Sequence, residues 1–183
     1  MKKIIMFAIL LSGISSQSQT YVKVNAMTTL LTIPNVAIET KVGEKSTLNF
    51  DALGSFWQSV NGKPREFYTL TAEYRYHFKA TDDGLYVGSH VGVSKYNFQK
   101  WNYLNTDNYE VGKGYFVGAT LGYKAKLNDK FYLDCFLGGG WHQGFYKGYH
   151  ISDGTRYDSA TNYNKSGEWF PYRGGVMISY KLN

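Results

Sequence analysis

Glu73, Arg75 and His77 stand two residues apart along one stretch of the 183-residue chain. In an extended strand such residues share one face, so a carboxylate, a guanidinium and an imidazole would line one side. Tyr74, Tyr76 and Phe78 would take the other. The same alternation puts Lys23, Glu39, Asp51 and Arg173 on the polar faces of other stretches. Gathered in one interior, these seven groups have three uses: a proton path, the lining of a narrow pore, or an ion-pair plug that holds strands in register. An unpaired buried charge is very costly, so a plug is the expectation.

Other candidates for chemistry are sparser. His90 and His142 point inward but lack carboxylates at ligand spacing, so no metal site is expected. His142, His150, Ser152 and Ser159 lie at or in the last long loop, where a lipid-modifying enzyme would need a serine, a base and an orienting carboxylate. No spacing marks a nucleophile with its base, and Asp153, Gly154 and Asp158 do not reproduce a calcium loop. No catalytic residue, cofactor or metal is therefore assigned, and the chain reads as a non-enzyme. Trp101, Tyr103, Tyr157 and Tyr163 sit among Asn and Asp in loops. They are the candidates for extracellular recognition of glycans or envelope proteins, with an interfacial aromatic girdle as the plain alternative.

The elements that must position these residues read as strands. From Tyr172 to Leu182, Tyr172, Gly174, Val176, Ile178, Tyr180 and Leu182 alternate with Arg173, Gly175, Met177, Ser179 and Lys181. The pattern recurs over Tyr21–Leu31, Val36–Val42, Leu48–Phe56, Tyr68–Phe78, Leu85–Ser94, Tyr115–Lys126 and Phe131–His142. Turns at Gly43–Ser46, Lys79–Gly84 and Asn128-Asp129 are short; Gln58–Glu66, Gln99–Lys113 and Gly144–Phe170 read as longer loops. This predicts an all-β fold: an eight-stranded antiparallel transmembrane β-barrel with short periplasmic turns and longer extracellular loops. Strands of about 10 residues would cross a bilayer at a tilt of ~45°. A soluble barrel with its apolar face inward is the alternative; glycines on the polar face and tyrosines at the ends of the apolar rows argue against it.

Composition agrees. Hydrophobic residues make up 43% of the chain and 17% are aromatic. A mean hydropathy of −0.37 excludes a helical membrane protein. Met1-Lys2-Lys3, the apolar run Ile4–Leu11 and Ser16-Gln17-Ser18 read as a cleaved export signal over residues 1–18, leaving a barrel domain over 19–183. Losing Lys2 and Lys3 takes the formal charge from +6 to +4. No basic stripe interleaved with aromatics appears, so nucleic acid is not an expected partner. Cys135 is the only cysteine, so neither a disulfide nor a lipoprotein anchor is expected.

The opening hairpin Val24-Asn25 through Pro34-Asn35 to Glu39 resembles that of a domain-of-unknown-function family of small outer-membrane barrels from bacteroidete-type Gram-negative bacteria. Glu73 to Phe78, Leu85 to His90 and Gly114 to Tyr123 are similar to its later segments. The resemblance implies an eight-stranded barrel in the outer membrane, with outer-membrane lipid as its surroundings, and no agreed activity. The expected function is a structural, recognition or accessory role in the envelope, as a possible subunit of a larger outer-membrane machine. A lipid-modifying enzyme and a narrow, porin-like pore are the alternatives.

Overall fold

The structure is a computed structural model and describes residues 19–100, 103–157, 159 and 161–183. Its strands are β1 (Thr20–Asn25), β2 (Asn35–Gly43), β3 (Ser46–Val60), β4 (Lys63–His77), β5 (Gly84–Phe98), β6 (Asn108–Lys126), β7 (Phe131–His150) and β8 (Asn164–Lys181). A five-residue helix, α1 (Ala26–Leu30), follows β1. Each strand pairs antiparallel with its sequence neighbours, and β1 pairs with β8, so the sheet closes on itself as a barrel. At the end carrying the termini, closure leaves no open edge.

Alternation then divides the residues. Val22, Ile38, Phe50, Leu70, Val91, Val117, Leu121, Leu137 and Ile178 are exposed on the outer face. Tyr21, Lys23, Glu39, Glu73, Arg75, Tyr86, Lys124, Tyr132 and Asp134 are buried inside. The usual arrangement is inverted: charges are inside and aliphatic side chains outside.

The expected fold is corrected in its details. Strand one does not run to Leu31. Asn25 ends it by capping α1: its side chain accepts from the Thr28 N–H, and its carbonyl accepts from the Thr29 hydroxyl at 2.7 Å. Its amide also donates to Asn35 Oδ1 at 3.1 Å and to the Gly174 carbonyl at 3.3 Å, tying α1 to β2 and β8. Six residues fall short of the ~9–11 that a membrane-crossing strand needs, so eight equivalent transmembrane strands are not what the sheet contains. What stands is an all-β, eight-stranded antiparallel closed sheet. Among the described residues, no helix is long and apolar enough to cross a membrane.

The long loops are corrected too. Gln58–Glu66 is not a loop: β3 and β4 run on to a two-residue turn, Asn61-Gly62, with φ of 54° and 77°. Positive φ at both central positions is the hairpin turn that Asn-Gly favours. Much of Gln99–Lys113 and Gly144–Phe170 is likewise strand, as β6, β7 and β8 extend beyond the core of the barrel. The connections at the end carrying the termini are short, and the Lys79–Asp83 turn there tucks Thr81 beneath the barrel.

One irregularity shapes the interior. Gly138 pairs with Arg173, but Gly139 pairs with Pro171, leaving Tyr172 as an extra residue in β8. Tyr172, expected outside, therefore turns inward beside Arg173, as β-bulges re-aim side chains. Its hydroxyl meets His90 Nε2 at 2.7 Å.

Gly122 gives a test of interior packing. The Tyr86 ring lies where a side chain at Gly122 would begin. Gly122→Val should lower stability by ~1–3 kcal/mol through overpacking, read from the urea midpoint of the refolded protein. Gly43→Ala, where an added Cβ would meet only ordinary contacts with Ser46 at 3.5 and 3.8 Å, should lose less than about 1 kcal/mol.

Candidate functional site

The interior has two halves. The half nearer the termini is filled by charged and aromatic side chains, and all eight strands contribute. Arg75 lies at its centre. Its Nε donates to Glu73 Oε2 at 2.9 Å, and its Nη1 donates to Asp134 Oδ2 at 2.8 Å and Glu39 Oε2 at 3.3 Å. Its guanidinium also lies 4.6 Å from the centre of the Tyr86 ring. Lys23 Nζ donates to Glu39 Oε2 at 2.7 Å and also contacts Asp134. Lys124 Nζ donates to Glu39 Oε1 at 3.2 Å and sits 3.8 Å from the centre of the Tyr21 ring. Tyr86 Oη donates to Asp134 Oδ1 at 2.7 Å. His77 Nε2 is 3.1 Å from the Thr47 hydroxyl and 3.8 Å from Glu39. Arg173 Nη2 donates to Asp51 Oδ2 at 2.6 Å and lies 3.3 Å from Glu73.

The structure therefore brings together all seven residues expected to line the lumen: Lys23, Glu39, Asp51, Glu73, Arg75, His77 and Arg173. It adds Lys124 and Asp134, which complete the balance. Lys23, Arg75, Lys124 and Arg173 face Glu39, Asp51, Glu73 and Asp134. Alternation alone placed Lys124 and Asp134 on inward faces; the β6–β7 register that sets them directly opposite one another was not readable locally. Charges this closely packed leave no open lumen, so the porin-like reading is corrected.

The other half holds a vestibule of about 400 Å³. Asp51, Thr71 and Arg173 form its floor, and Phe116, His142, Phe170 and Tyr172 form one wall. Those rings contact one another: Phe116 and Tyr172 centroids are 4.9 Å apart, and Phe170 and Tyr172 centroids 5.4 Å apart. Leu53, Phe67 and Thr69 line it from β3 and β4, Ser94 and Tyr96 from β5. Lys100 lies near the rim, 2.9 Å from Glu168 and 3.3 Å from Glu110.

The enzyme alternative needs a serine, histidine and carboxylate in sequence. Ser94 and His142 Nε2 do meet at 2.8 Å, and Glu168 lies opposite His142 on β8, but its carboxylate holds Lys100. In the last loop Asp107 stands between the other candidates. It accepts from Ser152 Oγ at 2.5 Å and lies 3.6 Å from His150, so serine is paired with the acid and not with the base. No triad is assembled by these residues, and the lipid-modifying reading is corrected accordingly. Among the described residues no group of three or more His, Cys, Asp or Glu could hold a metal ion.

Of the loop aromatics named as recognition candidates, Tyr103, Tyr157 and Tyr163 lie apart from the vestibule lining. Trp101 lies outside the described residues. Tyr103 sits in the turn after β5, where its carbonyl accepts from Thr106. Tyr157 lies over Gly148 and beside the His150 ring at 5.5 Å. Tyr163 is exposed, with Lys147 Nζ 5.2 Å from its ring centre. The expected envelope role, as a structural, recognition or accessory subunit, is corrected to what the fold itself shows, an all-β domain to which these positions assign no role.

The charged half gives a direct test. Arg75→Ala leaves Glu73, Glu39 and Asp134 short of a buried partner and should cost ~3–5 kcal/mol. Lys79→Ala breaks a solvent-exposed pair with Asp83 and should change stability by less than about 1 kcal/mol. Urea unfolding midpoints of the two variants measure the difference.

No curated protein matches this sequence. A family model does match, over residues 3–182, and its description is "protein of unknown function". That description names no membrane, barrel, lineage or activity, so the outer-membrane and bacteroidete attributes implied by the resemblance do not come with the match. With nearly its whole length covered, the chain belongs to the family of proteins of unknown function DUF3575.

Proposed function

We propose that this chain is a binding barrel. It holds a small ligand in the vestibule, passes nothing through its plugged half and performs no chemistry on what it holds. The observation that carries this is the division of the interior: a cavity of about 400 Å³ above a charge-balanced floor. That volume lies in the ~300–1,000 Å³ range of small-molecule sites. Aromatic rings from Phe67, Phe98, Phe116, Phe170 and Tyr172 supply its apolar surface, and polar side chains such as Thr69, Ser94 and His142 lie among them, a combination that small-molecule sites use for affinity and orientation.

The proposed setting is the outer membrane of a Gram-negative bacterium, with outer-membrane lipid as the partner of the outer wall. The export signal read in residues 1–18 supports this, and so does the wall itself. Monomers in water rarely expose a contiguous apolar patch above a few hundred Å², whereas here apolar side chains are exposed on every strand. Where β1 stops short, Met27, Leu30 and Leu31 of α1 and its C-terminal turn continue the apolar surface. Tyr74, Tyr76, Tyr123 and Tyr180, exposed nearer the termini, suit an interfacial girdle. Nucleic acid has no part in this reading.

Leu121→Arg on the outer wall should cost ~2–4 kcal/mol when the protein folds into lipid vesicles, while Asn105→Arg in the β5–β6 loop should be neutral. Equal tolerance would remove the lipid setting. Purified wild type in planar bilayers should show no steady single-channel current; a stable conductance would overturn the plugged interior.

A further inference from the structure

The groups lining the vestibule specify what it takes. Each charged residue there already has an opposite charge of its own: Arg173 holds Asp51 at 2.6 Å, and Lys100 holds Glu168 at 2.9 Å. A charged ligand would find no unmatched partner and would lose its hydration on entry, which costs free energy unless a counter-charge replaces it. Arg173 Nη1 has no hydrogen-bond partner among the described residues, but it is buried and its guanidinium already faces Asp51 and Glu73; the other polar groups left open are neutral. Tyr96 Oη, Thr69 Oγ1 and His142 Nδ1 line the cavity and have no hydrogen-bond partner among the described residues; His142 uses only Nε2, toward Ser94. Between them stands the wall of Phe116, Phe170 and Tyr172, whose rings are tilted or edge-on to one another. Such a wall offers both ring faces and ring edges to a flat aromatic body.

Resting on the binding reading above, we infer that the vestibule takes an uncharged, flat aromatic molecule carrying a hydroxyl or carbonyl oxygen. The ring system packs against Phe116, Phe170 and Tyr172. The oxygen exchanges hydrogen bonds with Tyr96, Thr69 or His142. The paired charges at floor and rim exclude ionised analogues of the same shape.

The test uses the full-length protein in detergent with three probes of one ring system: 2-naphthol, 2-naphthoate and 2-naphthylmethylammonium. Equilibrium dialysis of wild type is compared with Ser94→Trp and Thr69→Trp, each of which fills the cavity without touching the charged plug. Two filling variants guard against one that fails to fold. Saturable binding of 2-naphthol is expected, roughly tenfold or more tighter than either ion, because the ions enter without a counter-charge. Both tryptophan variants should lose it. Tighter binding of either ion would overturn the ligand class and leave the binding site standing. No saturable binding of any probe would overturn the binding reading and this inference together. Undiminished binding in both folded tryptophan variants would place the ligand elsewhere and overturn the site.

Discussion

A closed ring of eight strands has an interior only about wide enough for side chains, and this chain sends charged residues into it. The structure depends on that constraint. Once the sheet closes, Lys23, Arg75, Lys124 and Arg173 lose water together with Glu39, Asp51, Glu73 and Asp134. They are tolerable inside only as a network. Every strand but β5 brings at least one of these charges, and β5 brings Tyr86, which donates to Asp134, so a one-residue slip of any strand would carry its member to the outer face. The network therefore acts on register as much as on stability. A charge cluster of this kind is weak evidence for net stabilisation but good evidence for a specified arrangement.

The network also decides where the ligand space is. Bulky side chains fill the half near the termini: Tyr21, Tyr86 and Tyr132 pack around the ion pairs, and Thr81 closes the end. The other half has smaller groups, such as Thr69, Thr71 and Ser94, opposite its aromatic wall. The bulge at Tyr172 joins the halves. It turns two consecutive side chains of β8 inward, Arg173 to the carboxylates of the floor and Tyr172 to the wall. In a regular strand one of the two would face outward. A single extra residue thus makes both the lid of the plug and one side of the cavity.

Much of this was legible in the sequence, and the reason is the period of two. Alternation identified the strands, the direction of the sheet's faces and the seven interior residues from Lys23 to Arg173. It was sufficient because inside and outside differ so strongly in chemistry: charge on one face, aliphatic groups on the other. Turn chemistry was legible at Asn61-Gly62 as well, yet the neighbouring Pro64 reads as a breaker. Pro64 is tolerated in β4 because the ladder there needs its carbonyl, which accepts from the Gln99 N–H, and not the N–H that proline lacks.

What the tertiary structure alone decided is which residues meet. Asn25 ends β1 because Asn35 and Gly174, ten and 149 positions away, accept from its amide. Lys124 and Asp134 join the network because the staggered register of a closed barrel sets them at the level of Glu39 and Arg75. Tyr172 turned inward against its alternation because β7 offers one residue where β8 has two. The vestibule follows from all three. Alternation is a property of the single strand, and the sequence by itself determines it. Register, bulge and cavity are properties of strands against each other, set by long-range pairing that no local pattern records.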